Sequence, residues 1–311
     1  MCNIKFSIAI PAYKSKFLAK AIESCLRQTY ANFELIVVDD CSPEKLEDIV
    51  SLYDDSRIRF FRNSQNCGAE CVVDNWNICL SYCCGEWIIC MGDDDMLMPN
   101  CLEKYAEAID KYPSLDEFHA RTRLIDENDL LLKILPDRAD CESAYANIIH
   151  RMEGRQQYIG DFCYRIRRLR EIGGFYKLPF AWGSDDITAY MCGCPNGVGN
   201  INEPTFCYRV NRYTISNSGN EEKKLKALML VDKWIEDFTL TQNPMTELQK
   251  FEINQIIRLR PKALSNMQSF VIENSIRRNG MNVLKWLLVR RKYALSVKTV
   301  IKTTLRIFVK K

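Results

Sequence analysis

Histidine is almost missing from this chain of 311 residues, which has only His119 and His150, so a His-rich metal centre is not expected. Paired thiols are missing as well. The 15 cysteines all lie at or before Cys207 and no two stand in C-x-x-C spacing. That removes zinc-ribbon and thioredoxin readings and leaves reduced, small core residues. No apolar run approaches the roughly 20 residues of a membrane span, and "MCNIKFSIAIPAYKSKF" lacks a long apolar h-region with a small-residue cleavage site. The expectation is a cytosolic protein. Excess charge is lacking too: a net +3 at pH 7 is too small to argue for nucleic acid. Neither an internal repeat nor a low-complexity block is found.

What the chain does have is a core-forming composition, 47% hydrophobic with 27% charged residues, in a length that suits one large domain or one domain plus an appendage. The first hundred residues alternate between two periods. "KFSIAIP" is a short apolar run stopped by Pro11, after which Phe17, Leu18, Ala21, Ile22, Cys25 and Leu26 recur at helical spacing. "FELIVVDD" is a second run, followed by "CSPEKLEDIVSLY", where Ser42 is placed to cap a helix with Pro43 at its first position. "IRFF" is a third run, Ala69 to Tyr82 reads as helix, and "EWIICM" is a fourth strand. This rhythm predicts right-handed βαβ units: an α/β fold with a mostly parallel sheet covered on both faces. From about 100 to 215 the pattern is irregular, and after about 220 it reads as helices without strands.

In open α/β sheets a ligand sits outside the carboxyl ends of the strands. Those ends carry Pro11, Ala12 and Tyr13, then Asp39 and Asp40, then Gly92, Asp93, Asp94 and Asp95, and they should converge on one crevice. Clustered carboxylates supply the oxygen ligands a hard divalent cation needs, with water and substrate phosphates completing its shell; a solvated acidic turn is the ordinary alternative. Asp39 and Asp40 can accept hydrogen bonds from a base or ribose, or can cap the next helix. A third pair, Asp185 and Asp186 in "FAWGSDDITAY", has the aromatic surroundings that raise a carboxyl pKa and suit a general base. An exposed helix start with Ser184 as cap accounts for the same residues.

"FSIAIPAYKSKFLAKAIESCLRQTYANFELIVVDDCSPE" resembles the opening of family 2 glycosyltransferases of the GT-A fold. The resemblance continues through "RNSQNCGAECVVDNWNICLSYCCGEWIICMGDDDMLMP", "YRIRRLREIGGFYKLPFAWGSDD" and "FCYRVNRYTISNS", spanning roughly residues 6 to 218 in order. It implies a GT-A type, Rossmann-like catalytic domain over 1–219, with a nucleotide-sugar-binding half at 1–100, an acceptor-binding half at 101–219, and a helical region with a basic tail at 220–311. The implied activity is inverting transfer of a sugar from a nucleotide-diphospho-sugar, UDP by default, to a hydroxyl of a saccharide or lipid-linked saccharide, as in bacterial surface polysaccharide assembly. By the same resemblance Pro11, Ala12 and Tyr13 line the nucleotide pocket beside the Asn66 and Gly68 turn, Asp40 meets the base, and Asp93 meets the ribose. Asp94 is the implied principal ligand of Mn²⁺ or Mg²⁺, with help from Asp93 or Asp95. Asp185 falls at the catalytic base, with Asp186 as fallback, and Arg209 in the loop that closes over the diphosphate. Departures are Gly92 in place of the first aspartate of the metal motif, Trp76 for an arginine, Ser184 for a glutamate and Asn211 for a histidine.

Two other readings stay open: a metal-dependent nucleotidyltransferase, although "PAYKSKF" lacks the glycines of a triphosphate loop, and a catalytically inactive nucleotide-sugar-binding protein. Beyond Glu273 the chain has no acidic residue but many Lys and Arg. Val297, Val300, Ile301, Thr304, Leu305 and Phe308 fall on one helical face with Lys298, Lys302 and Arg306 beside it. Such a helix lies on an anionic membrane surface, here through 280–311, which would make the protein peripheral on the inner face. Packing on the domain with a solvated basic side is the equal alternative.

Overall fold

The computed structural model describes residues 4–194, 196–211 and 220–309, apart from the side chains at 308 and 309. Its first half is built on strands whose successive side chains feed two cores. From β1 (Phe6–Ala12), Phe6, Ile8, Ile10 and Ala12 point to one face, where they meet α1 (Leu18–Leu26) and Leu35 and Val37 of β2 (Phe33–Asp39); Ala9, Ile36 and Val38 point to the other. Burial on both faces is why these runs read as continuously apolar. α2 (Leu46–Val50) and β3 (Ile58–Arg62) follow, then α3 (Val72–Tyr82), whose Val73, Trp76, Cys79 and Leu80 cover the second face, and β4 (Trp87–Cys90). β3, β2, β1 and β4 are parallel neighbours in that order. Ser42 does not cap α2, which starts only at Leu46 after Lys45. Its hydroxyl donates instead to Tyr13 O at 2.6 Å, so the residue ties two strand ends together.

The second half is more ordered than its sequence pattern suggests. After β5 (Met96–Leu97) and α4 (Cys101–Lys111) come β6 (Glu117–Ile125), β7 (Leu131–Ile134), β8 (Cys141–Glu142), α5 (Ala144–Met152), β9 (Phe162–Arg165), α6 (Ile166–Glu171), α7 (Ser184–Gly193) and β10 (Val198–Arg209). β9 joins antiparallel to β4 and β6, and β10 runs parallel to β6, so the sheet is parallel through β4 and mixed beyond it. β6 escaped the periodicity because Glu117 and His119 occupy buried positions on it. In β10 the register shifts on either side of Pro204, which has no N–H for the ladder; the resulting bulge re-aims the strand's last residues at the end of β4.

From Glu221 the described chain is helical: α8 (Glu221–Thr241), α9 (Glu247–Arg278), α10 (Asn282–Val289) and α11 (Val297–Val309). Ile235, Ile253 and Ile256 pack on Tyr145, Ile148 and Tyr190 of α5 and α7, while Trp286, Tyr293, Val300 and Ile307 close a separate core with Leu225, Leu228 and Ile272. Much of the basic excess is consumed here. Arg277 and Arg306 pair with Glu273, Arg278 with Glu221, and Lys285 and Lys292 with Glu222. The single apolar face expected on α11 is in fact split. Val300 is buried together with Thr303 and Ile307, whereas Val297, Ile301 and Leu305 are exposed. Helical spacing could not show which part of a wide apolar arc meets α9. Phe308's side chain lies outside the described residues, as do Lys310 and Lys311.

Candidate active site

The three strand ends meet. Backbone N–H groups of Tyr13 and Lys14 both donate to Asp93 Oδ2 at 2.7 Å, and Asp40 N–H donates to Ala12 O at 2.8 Å. Asp39 is fully buried, accepts the Ser42 N–H at 2.7 Å and is ion-paired to Arg62. Asp40 Oδ1 accepts from Asn63 Nδ2 and from Cys67 N–H, both at 2.9 Å, while Asn66 Nδ2 donates to Asp40 O at 2.7 Å. Gly68 turns this loop at φ 78°. Pro11, Ala12, Tyr13, Asp40, Asn66 and Gly68 therefore border one corner; Asn63, which orients Asp40, carried no sequence signal.

At the end of β4 the acidic triplet has three different environments. Burial and the neighbouring Asp94 push Asp93 up to about 6. Asp95 is buried and, for the same two causes, held well above the usual carboxylate range, while its Oδ1 accepts the Arg209 N–H at 3.0 Å. Asp94 Oδ2 accepts from Asn211 Nδ2 at 2.6 Å. The remaining oxygens converge over Gly92: a Cβ there would stand 2.8 Å from Asp94 Oδ1 and 3.0 Å from Asp95 Oδ2. A side chain at Gly92 would make these carboxylate oxygens give way. Two converging hard oxygens fit a divalent cation that takes its other ligands from water and a diphosphate. Among the described residues no group of three or more His, Cys, Asp or Glu is arranged for a metal.

Arg209 departs from the expected diphosphate contact. Its guanidinium is completely buried, donating to Asp94 O at 2.7 Å and Asp126 O at 2.8 Å, pairing with Asp129 at 2.6 Å and lying on the Phe17 ring. It braces the acidic turn from behind and presents no N–H to a ligand. The closing loop itself, 212–218, lies outside the described residues.

The second acidic pair begins α7. Its N-cap is Gly183 at φ 92°, not Ser184, whose hydroxyl accepts the Leu178 N–H at 3.1 Å instead. A Cβ on Gly183 would meet Val231 of α8 at 2.6 Å. Just upstream Phe180 and Ala181 are both left-handed, at φ 60° and 55°, a strain typical of functional turns. Asp186 is buried and fully engaged: Arg151 Nε donates to it at 2.8 and 3.0 Å and Gln157 Nε2 at 2.9 Å. Asp185 is half-buried and accepts the Asp186 N–H at 3.0 Å. Burial and the Asp186 carboxylate push it up to about 8. Tyr158 and Tyr208 stack at 3.7 Å, and burial raises both hydroxyls, with smaller contributions from the Asp95 and Asp185 carboxylates.

Behind α7 lies a polar cluster that sequence reasoning missed. Glu117, His119, Asn147, Gln157 and Asp161 are buried with side-chain atoms lacking a hydrogen-bond partner. Burial holds Glu117 well above and His119 well below their usual ranges, and it pushes Asp161 up to about 7. Unpartnered polar atoms in an interior are normally served by ordered water.

The model of the family described as Glycosyl transferase family 2 matches residues 7–161. The chain belongs to this family. Among curated relatives, a putative colanic acid biosynthesis glycosyl transferase, WcaA, of Escherichia coli K12 is 42% identical over 106 residues, 33% of this chain and 37% of that protein. An uncharacterized glycosyltransferase of Haemophilus influenzae is 32% identical over 39% of this chain and 40% of its own length. The chain thus spans well under half the length of these two relatives. Coverage is broader with the E. coli UDP-Glc:alpha-D-GlcNAc-diphosphoundecaprenol beta-1,3-glucosyltransferase WfgD, 25% identical over 81% of this chain and 92% of that protein. Among solved structures, S. aureus TarS 1-349 in complex with UDP-GlcNAc superposes with a TM-score of 0.67 at 16% identity, covering 88% of this chain and 81% of that 1-349 chain. At that identity the likeness speaks for the fold alone, the expected GT-A fold with helices after it.

Proposed function

We propose that this chain is an inverting, metal-dependent glycosyltransferase that moves a sugar from a nucleotide-diphospho-sugar to a hydroxyl of a saccharide or lipid-linked saccharide. The observation that carries the reading is the convergence of strand ends, with Tyr13 and Lys14 N–H on Asp93 and with Asp94 and Asp95 oxygens meeting over Gly92; Asp185, with raised proton affinity at the start of α7, supplies the candidate base. UDP-GlcNAc in the TarS structure and the UDP-Glc and diphosphoundecaprenol in the name of WfgD support a UDP-sugar donor and a lipid-linked acceptor. The colanic acid relative supports a role in surface polysaccharide biosynthesis.

In this reading 1–219 is the catalytic domain, with donor and acceptor halves at 1–100 and 101–219, and 220–311 is the helical region. Pro11, Ala12, Tyr13, Asn66 and Gly68 enclose the nucleotide, Asp40 accepts from the base and Asp93 from the ribose. Asp94, assisted by Asp95 or Asp93, would hold Mn²⁺ or Mg²⁺. The chemistry such a cation supplies is neutralisation of charge on the departing nucleoside diphosphate. Asp185, ionised, takes the proton of the acceptor hydroxyl, whose oxygen attacks the anomeric carbon as the bond to the diphosphate breaks on the opposite face. Asp186 stays paired with Arg151 as a fixed charge beside the base. Work on a lipid-linked acceptor would put the protein in the cytoplasm, peripheral on the inner membrane face.

The test is a panel of nucleotide sugars with Mn²⁺ or Mg²⁺ and saccharide acceptors, following nucleoside diphosphate release. Metal-stimulated release that Asp185→Asn abolishes is expected. Pyrophosphate as product would replace this reading with nucleotidyl transfer, and donor binding without turnover on any acceptor would leave only a binding protein.

A further inference from the structure

α11 carries two apolar faces. The inner one, Val300, Thr303 and Ile307, is consumed in packing. The outer one is a straight i, i+4, i+8 stripe of Val297, Ile301 and Leu305, exposed to 44%, 49% and 58%, and Lys298 and Lys302 run alongside it one residue on. Arg290 and Arg291, just upstream, and these two lysines have no carboxylate partner among the described residues, in contrast to the five neighbouring cations held by Glu221, Glu222 and Glu273. No acidic residue follows Glu273 to neutralise them. A helix that only covered a core would need apolar residues on one side alone.

We infer that the outward stripe of α11 is a membrane-contact surface whose ligand is the headgroup layer of an anionic bilayer. Val297, Ile301 and Leu305 enter the headgroup and acyl boundary, while Lys298 and Lys302 extend their ammonium groups toward lipid phosphates. The contact is peripheral, since no described helix is long and apolar enough to cross a membrane. This surface deepens the peripheral placement proposed above and is independent of the transfer chemistry.

Deleting the tail is a poor test, because Trp286, Tyr293, Val300 and Ile307 belong to a core. Point changes on the exposed side leave that core intact. The full chain, without donor or acceptor, is sedimented with phosphatidylcholine vesicles containing or lacking phosphatidylglycerol. Binding to the anionic vesicles alone is expected, weakening with salt. Each cation near such a surface is worth about a factor of five, so Lys298→Gln with Lys302→Gln should weaken binding about 25-fold. Ile301→Gln with Leu305→Gln should weaken it about tenfold or more. Both double variants should melt with the wild type and release nucleoside diphosphate on a soluble acceptor at the wild-type rate, so failure of the lipid test leaves the transfer reading standing. Wild-type chain that ignores anionic vesicles, or an apolar double variant that binds them undiminished, overturns the inference. So does a concentration-dependent dimer abolished by Ile301→Gln with Leu305→Gln, which would assign the stripe to a second copy.

Discussion

The proton affinity of Asp185 makes a sharp kinetic prediction. With the carboxyl pushed up to about 8 by burial and by Asp186, about 1% is ionised at pH 6, about 9% at pH 7 and about half at pH 8. The positive end of α7 acts in the other direction by about 0.3–1 kcal/mol, under one pH unit. The rising limb of kcat/KM should therefore have its midpoint between about pH 7 and 8, with a rise of up to about tenfold from pH 6 to 7. Stability runs the other way. A carboxyl whose affinity for a proton is higher in the folded chain than its ordinary 3.8 favours folding when protonated, so its contribution is lost as pH climbs from about 4 through about 8. Asp186→Asn removes the like charge and leaves Arg151 unpaired, which should move the kinetic limb at least about one unit toward acid and destabilise the fold by about 3 kcal/mol. The assay is kcat/KM against pH for both proteins, with thermal melts at each pH. A rate that is flat between pH 6 and 9, or a limb that Asp186→Asn leaves in place, refutes the reasoning; activity that survives Asp185→Asn and dies in Asp186→Asn moves the base by one residue.

Further outcomes test the acidic turn. Asp94→Ala should lose metal-dependent donor binding in calorimetry while still melting cooperatively, and unchanged donor and metal affinity removes Asp94 from the metal. Gly92→Ala places a methyl against Asp94 Oδ1 and Asp95 Oδ2, so donor affinity in Mn²⁺ should fall with a stability loss of about 1–3 kcal/mol; wild-type affinity would mean the two oxygens need not converge. Arg209→Met should destabilise by about 1–3 kcal/mol in denaturant titration, because the Asp94 and Asp126 carbonyls lose a buried donor, while exposed Asp129 keeps Lys20; a loss confined to KM for the donor, with stability intact, would return Arg209 to the diphosphate.

The first half of the fold was legible because its strands bury both faces and its helices one, so each period stands out between clear breaks. Where a buried position is filled by a charged residue the signal fails, as in β6 with Glu117 and His119. The crevice at the ends of β1, β2 and β4 followed from a general rule of parallel sheets. Which oxygen serves what did not: Asp39 turning to Arg62, Asp186 to Arg151 and Arg209 to Asp129 depend on residues far away in the chain. The division of α11 into packed and open sides was equally invisible, since it depends on the angle at which α9 passes it.

The wall behind the proposed base bears on the order of events at the ribosome. Gly183 abuts Val231, Trp182 stacks on Phe270, and Lys223 pairs with Glu70, so helices from the far end of the chain close around the turn that carries Asp185. A nascent chain has made β1 to β4 well before α8 and α9 emerge to hold that turn. The acidic turn after β4 is completed late as well, because Arg209 of β10 and Asn211 hold it. In the proposed reading, donor site and base are therefore both finished only as the second half of the chain arrives.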